Sequence, residues 1–334
     1  MSTVVWLACA AAVVVIGGVA AYGTLVRRES RPEKVLCLMY HRLCDDERYA
    51  ALSGTERVFN MPAARFDAQI GWLAAAGYQF VSADQVAAFA SGELKLDGPA
   101  VMITFDDGCT SVATHAAPIL RRHGARATVF VTTDADAYVF GLTPNDARLS
   151  DQAIADLDGD TILIESHSVT HRPLSELGDD DVCNELHESR SRLAQILRRP
   201  VSYFAVPGNW YDGRVLRLAR QAGYRAVWSS DPGSVRRGAT PFPFPRVNID
   251  GDLSLAQFRA QLTATGIAQR RIVAAFKRLP GRLLGPRRWY PLRKAILRMV
   301  PGGHLSKRRV WGGLIVVSLV LMTVIILLVM VAVS

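Results

Sequence analysis

Val101-Met102-Ile103-Thr104-Phe105-Asp106-Asp107-Gly108 sets a short apolar run against two adjacent carboxylates and a glycine. An apolar run of this length, bounded by a turn signal, reads as a buried strand that stops at Gly108. The same arrangement occurs twice more. Thr161-Ile162-Leu163-Ile164 leads into Ser166-His167-Ser168-Val169-Thr170-His171, and Val201-Ser202-Tyr203-Phe204-Ala205-Val206 leads into Pro207-Gly208-Asn209-Trp210-Tyr211. Three polar clusters at the ends of three strands imply one shared mouth, because barrels and open sheets of alternating strand and helix gather functional side chains at their strands' C-terminal ends.

The segments between and around these strands read as helices. Arg65 to Gly77 has apolar residues at helical spacing with a glycine stop, Tyr78 to Val81 reads as a strand, and Ser82-Ala83-Asp84 opens the next helix. His115 to His123 is expected to be helical before a strand over Ala127 to Val131. Asp179 to Leu197 reads as a long amphipathic helix, with Glu185, Glu188, Arg190 and Arg192 on its solvated face and His187 at the surface. Arg214 to Ala222 gives one more helix before the strand Ala226 to Trp228. Such alternation implies a parallel sheet covered by helices. Residues 45–60 and 134–160 read as polar, irregular insertions at the rim of the mouth.

One carboxylate and the His-x3-His pair supply three protein ligands, the count a catalytic zinc uses when its fourth position is open. Zinc brings the pKa of a bound water to about 7, and the carboxylate left over can take a proton from it. Successive side chains of a strand point opposite ways, so a turn at Gly108 lets Asp107 reach the metal while Asp106 faces the substrate. Taken singly, Asp-Asp-Gly is an ordinary turn and the histidine pair an ordinary surface feature; together they form a hydrolytic pattern.

Thr104-Phe105-Asp106-Asp107-Gly108 followed by Ser166-His167-x3-His171 resembles the first two motifs of the polysaccharide deacetylases, the carbohydrate esterase family with the NodB homology domain. Met39-Tyr40-His41-Arg42, Ala117-Pro118-Ile119-Leu120, Ala127-Thr128-Val129-Phe130-Val131 and Ala222-Gly223-Tyr224-Arg225-Ala226 are similar to its poly-N-acetylglucosamine deacetylase branch. The resemblance implies a distorted (β/α)7 barrel and the removal of an N- or O-acetyl group from a carbohydrate. It implies Asp106 as the general base, and Asp107, His167 and His171 as ligands of a divalent ion, zinc first, with cobalt, nickel and manganese compatible with the same donors. The third motif, Pro207-Gly208-Asn209, would supply a backbone N–H to the oxyanion. Two departures stand out. Ala205 occupies the place of an arginine that orients the base, with Arg246 in Phe244-Pro245-Arg246-Val247 as a substitute. The family's late histidine, which protonates the leaving amine, has no counterpart near its usual place, since only His304 follows His187; His41 is the candidate acid, and a structural histidine is the competing reading.

The 334 residues also contain two long apolar runs, 4–26 and 310–333, each long enough to cross a bilayer as a helix. The first lacks the basic start and cleavage site of a signal peptide and reads as a retained anchor. Cys9 within it reads as a small apolar residue. The expected division is an N-terminal transmembrane anchor over 1–30, a catalytic domain over 31–262, a basic amphipathic membrane-surface segment over 263–309 and a C-terminal transmembrane helix over 310–334. Between Arg270 and Arg309 lie thirteen Lys or Arg and no acidic residue, so the formal charge of +9 belongs to the tail. Interleaved aromatic and aliphatic residues make membrane lipids the expected partner there, rather than nucleic acid.

Arg27, Arg28, Arg31 and Lys34 after the first run, with Lys307, Arg308 and Arg309 before the second, place the intervening domain on the cytoplasmic face by the positive-inside rule. Five cysteines, Cys9, Cys37, Cys44, Cys109 and Cys183, show no paired spacing and read as reduced thiols. The leading expectation is a membrane-anchored deacetylase of a lipid-linked amino sugar, a carbohydrate or glycolipid. A deacetylase of exported polysaccharide or peptidoglycan, and a carbohydrate-binding protein with a decayed site, are the alternatives. The sequence is silent on oligomeric state.

Overall fold

The computed structural model describes residues 3–54, 56–137, 139 and 147–284, with the backbone alone for 3–16 and 280–284. It separates into two compact units, one formed by Arg31–Thr263 and one by the residues on either side of it. The first unit is built on ten strands: β1 (Val35–Tyr40), β2 (Arg42–Cys44), β3 (Asn60–Pro62), β4 (Gln79–Phe80), β5 (Ala100–Phe105), β6 (Ala127–Val131), β7 (Ile162–Ser166), β8 (Tyr203–Ala205), β9 (Ala226–Trp228) and β10 (Val247–Asn248). A curled parallel sheet runs β10-β1-β5-β6-β7-β8-β9, with β4 paired to the start of β5. The path has seven strands. Its two ends approach each other through one segment, since Phe244 bridges Trp228 of β9 and Val247 pairs with Leu38 of β1.

The strands' period of two decides what fills the curl. Val35 and Cys37 of β1, Ala100 and Met102 of β5, Phe130 of β6, Tyr203 and Ala205 of β8, and Ala226 and Trp228 of β9 form one buried cluster with Val235 and Phe244. Trp228 is its centre, with the Phe130, Tyr203 and Phe244 rings 5.3–5.8 Å away, centroid to centroid. Burial pushes the Cys37 thiol in this cluster up to about 12, which makes it a packing residue. Cys37, Cys44, Cys109 and Cys183 are all free.

Helices cover the strands' outer side. Ala63–Ala75 buries Phe66, Ile70 and Leu73; Ala83–Ser91 opens with a capping box between Ser82 and Gln85 and ends at left-handed Gly92. The region expected as His115 to His123 begins as a π-helical turn, Val112–Ala116, and continues as Ala117–Arg122. Gly213–Gln221 precedes β9.

Asp179–Leu197 is helical over the expected span, but the expected solvated face is not uniform. Glu185 is 5% exposed, and half-buried Arg190 donates to the carbonyls of Val201 and Ala222. Periodicity alone sends charged residues to solvent, and a long-range acceptor or donor overrides it. The expected irregular insertions are also partly ordered. Residues 45–60 hold the helices Asp46–Ala51 and Glu56–Phe59 and lead into β3, which pairs in parallel with β2; residues 134–160 hold the helix Asp151–Leu157. Short helices capped by Asp45 and Ser150 have too few turns to show a period.

In the second unit the helix Thr3–Ser30 packs against the helix Ala264–Leu284, and Arg271 donates to the buried Glu29 carboxylate at 2.9 Å. Among the described residues no helix is long and apolar enough to cross a membrane. The expected span over 310–333 and His304 lie outside the described residues, as do most of the side chains of the span over 4–26.

Candidate metal centre and active site

The rung above the apolar cluster carries the chemistry. Continuing each strand's inward parity by one step leads from Val35, Cys37 and Met39 to His41, from Met102 and Thr104 to Asp106, from Leu163 and Glu165 to His167, from Tyr203 and Ala205 to Pro207, and from Phe244 to Arg246. Asp107 has the opposite parity. It turns back into the mouth because its φ is 79°, in the left-handed region, with Gly108 following at 78°. A β-carbon on Gly108 would lie 2.9 Å from a Val131 methyl, so the turn admits no larger residue without strain.

Asp107 Oδ1 lies 3.8 Å from His167 Nε2 and 3.7 Å from His171 Nε2. The three ligand atoms lie within 4.8 Å of one another. Zinc bonds of 2.0–2.2 Å place tetrahedral neighbours about 3.3–3.5 Å apart, so the two Asp107–histidine separations exceed that spacing by only a few tenths of an ångström. The tautomer fits as well. His167 Nδ1 donates to the Ala205 carbonyl at 2.8 Å, which leaves Nε2, 3.8 Å from Asp107 Oδ1, as the nitrogen with the free lone pair. Burial lowers the His167 imidazole to about 4 and also lowers His171, against the attraction of Asp106 and Asp107. Both rings are therefore neutral donors at neutral pH. The donor set fits a divalent cation.

The loop between the two histidines is held from outside the motif. Glu185 accepts from the Val169 and Thr170 N–H groups at 2.9 Å each and from the Thr170 hydroxyl, while the Ser168 hydroxyl accepts from His171 N at 3.1 Å. Ser168 and His171 have φ of 72° and 57°, a conformation that local preference would not sustain without such partners. Glu165, fully buried on β7, accepts from the Ser202 and Tyr203 N–H groups and so ties β7 to the start of β8. Burial outweighs Arg199 and these hydrogen bonds and pushes Glu165 up to about 7.

Asp106 is clasped by Arg246, whose Nη1 and Nη2 reach the two carboxylate oxygens at 2.6 and 2.8 Å. Arg246 is itself fully buried, donating to the Ser229 carbonyl and the Thr104 hydroxyl and lying over the Phe130 ring. Burial alone would raise the Asp106 carboxyl; Arg246 and His167 overcome it and hold the group at about 2, so it stays ionised. Asp106 Oδ2 is 3.9 Å from His167 Nε2, which puts both carboxylates at one ring.

His41 is half-buried at the end of β1, its ring edge-on to Phe59 with centroids 5.0 Å apart. Burial brings its pKa down to about 4 against the pull of Asp107 and Asp106, so it belongs to the same electrostatic cluster. Pro207 is buried, and Gly208 and Asn209 follow with φ of 56° and 63°. Asp231 holds this turn: it accepts from Asn209 Nδ2 at 2.7 Å and from the Tyr211 hydroxyl, and its carbonyl accepts from Arg246 N at 2.9 Å.

Sequence reasoning missed Arg42, Arg148, Glu185 and Asp231. Arg42 Nη1 lies 3.3 Å from Asp107 Oδ2 with both side chains buried, and Arg148 donates to the Asp107 carbonyl. Arg42 adjoins His41 and was readable as a member of that motif; the roles of the other three depend on partners elsewhere in the chain.

Residues 93–227 match the family described as polysaccharide deacetylase. A protein of Bacillus subtilis (strain 168) named as a polysaccharide deacetylase, YxkH, is 25% identical over 235 residues, covering 70% of this chain and 78% of its own. Residues 93–227 thus form a polysaccharide deacetylase domain. The chain is accordingly a carbohydrate deacetylase, a hydrolase of non-peptide carbon–nitrogen bonds. Among solved structures, the Streptococcus pyogenes deacetylase PplD, in complex with acetate, superposes with a TM-score of 0.60 at 22% identity, over 70% of this chain and 99% of that one. IcaB from Ammonifex degensii gives 0.59 at 21% identity, over 69% and 97%. At such identities the two structures speak for the deacetylase's fold.

Proposed function

We propose that this deacetylase removes the N-acetyl, or another small acyl, group from a membrane-associated or lipid-linked amino sugar, with Asp106 as base and Asp107, His167 and His171 as ligands of a divalent ion. The observation that carries this reading is the meeting of Asp107 Oδ1 with two imidazole Nε2 atoms, beside a second carboxylate held ionised by Arg246. Held by Asp107, His167 and His171, a zinc-like cation would supply polarisation of the acetyl carbonyl and activation of a water at neutral pH. Asp106 accepts the proton of the attacking water, and Arg246 fixes the carboxylate's plane so that one oxygen faces the substrate. The Gly208 N–H, presented by the turn after Pro207, receives the oxyanion. His41, neutral beforehand, takes up the proton that Asp106 accepted from the water and passes it to the leaving nitrogen.

The membrane part of the proposal rests on the chain's ends. The apolar runs 4–26 and 310–333, and the cationic stretch from Arg270 to Arg309, support two spans and a surface segment flanking a catalytic domain over 31–262, with the domain on the cytoplasmic side. Purified full-length protein should release acetate from an N-acetylhexosamine on a polyprenyl phosphate, and a chelator should stop it. Release only from polymeric substrates would transfer the proposal to exported polysaccharide. No release from either class after metal loading would overturn it. Single-cysteine accessibility in the domain, read in intact cells, decides its side.

A further inference from the structure

We infer that Arg42 makes Asp107 a one-oxygen ligand, holding Oδ2 away from the cation and so keeping one coordination position open for substrate. The inference rests on the metal site proposed above and adds a residue to it.

The two oxygens of Asp107 have different surroundings. Oδ1 faces both histidines, at 3.8 and 3.7 Å, whereas Oδ2 faces Arg42 Nη1 at 3.3 Å. A carboxylate can close on a cation with both oxygens at once, and the second contact would take a position that water or the acetyl oxygen needs. Three features keep Asp107 from rotating into that mode. Its backbone is fixed at φ 79°, its carbonyl is held by Arg148, which also donates to the Ala137 carbonyl at 3.2 Å, and the guanidinium occupies the far side of the carboxylate.

Arg42 is placed as firmly as the group it holds. It opens β2, which is paired with β3, and the next residue's N–H donates to Ser111 Oγ at 3.2 Å. Its side chain is fully buried, with the guanidinium 5.9 Å from the Phe59 ring. A buried cation beside a cation-binding triad is electrostatically unfavourable unless the shared carboxylate is divided between them. Division also draws electron density from Asp107, which leaves a bound metal the stronger Lewis acid.

Cobalt(II) loading of the full-length protein tests this, because visible d–d bands weaken as coordination number rises. Arg42→Met, of similar length and without charge, should lose intensity in these bands at equal cobalt content, and the acid limb of kcat/KM should move to higher pH. Unchanged bands in a folded Arg42→Met protein would overturn the inference. Should that variant fail to fold, a crystal structure of the cobalt-loaded wild type decides: cobalt on Oδ1 alone, with Oδ2 on Arg42, supports it, and cobalt bridged by both oxygens refutes it. A wild type that takes up no cobalt removes the metal reading itself, and is thereby distinguishable from a failure of the role given to Arg42.

Discussion

Replacing Arg246 by methionine removes both hydrogen bonds to Asp106 while nearly preserving side-chain length. The wild-type pair is fully buried, with contacts of 2.6 and 2.8 Å. At an effective dielectric of about 20, unit charges about 4 Å apart attract by about 4 kcal/mol. Removing one partner of a buried pair costs about 3–5 kcal/mol, because the survivor is left uncompensated. Arg246→Met should therefore lower the unfolding free energy of the metal-free chain by about 3–5 kcal/mol, measured by urea titration with the fluorescence of the buried tryptophan. Asp106→Asn in the same background should recover much of the loss, giving a coupling energy of at least about 2 kcal/mol in the double-mutant cycle. Arg225→Met is the internal comparison: its partner Asp84 is 59% exposed and it is itself 63% exposed, so at most about 1 kcal/mol is expected. A loss below about 1 kcal/mol for Arg246→Met, or a coupling within the error of about 0.5 kcal/mol, would refute the argument that this arginine fixes the base. In activity, losing the orientation of a general base should reduce kcat/KM by about 10²–10⁴-fold.

Gly108→Ala should cost at least about 1–2 kcal/mol for the left-handed backbone alone, more with the Val131 methyl in the way, and thermal melting checks it. Glu185→Ala leaves the Val169 and Thr170 N–H groups without their acceptor; it should destabilise by roughly 2–3 kcal/mol and weaken zinc binding, read by competition with a chromophoric chelator. Asp67, at the surface, has its carboxyl pulled below the ordinary 3.8 by its hydrogen bond to His123, with Arg122 adding to the effect. A lowered carboxyl pKa stabilises above the unfolded value and ceases to do so as pH falls through the folded one. Asp67→Asn should thus melt slightly below wild type at pH 6, and the gap should close in acid below 3.8.

The fold was legible where the pattern is local. Strands β5, β6 and β9 and the helix Asp179–Leu197 follow from runs whose period is visible in a few residues. The short helices of 45–60, the pairing of β2 with β3, and the buried acid Glu185 inside a charged helix were not legible, since each depends on a partner remote in the chain. Arg246 was singled out only as a replacement for the arginine absent at Ala205; its contact with Asp106 spans 140 positions.

By itself the amino-acid order determined the carboxylate pair before Gly108, the His-x3-His spacing and the inward parity that lifts His41, Asp106, His167, Pro207 and Arg246 one step above an apolar interior. These are properties of a strand and its turn, set by neighbours within a few bonds. Tertiary structure decided which oxygen of Asp107 faces the imidazoles, which guanidinium clasps Asp106, and which carboxylate holds the histidine loop. Curling of the sheet brings those charges together from distant strands, and a buried charge is stable only where its partner arrives with it.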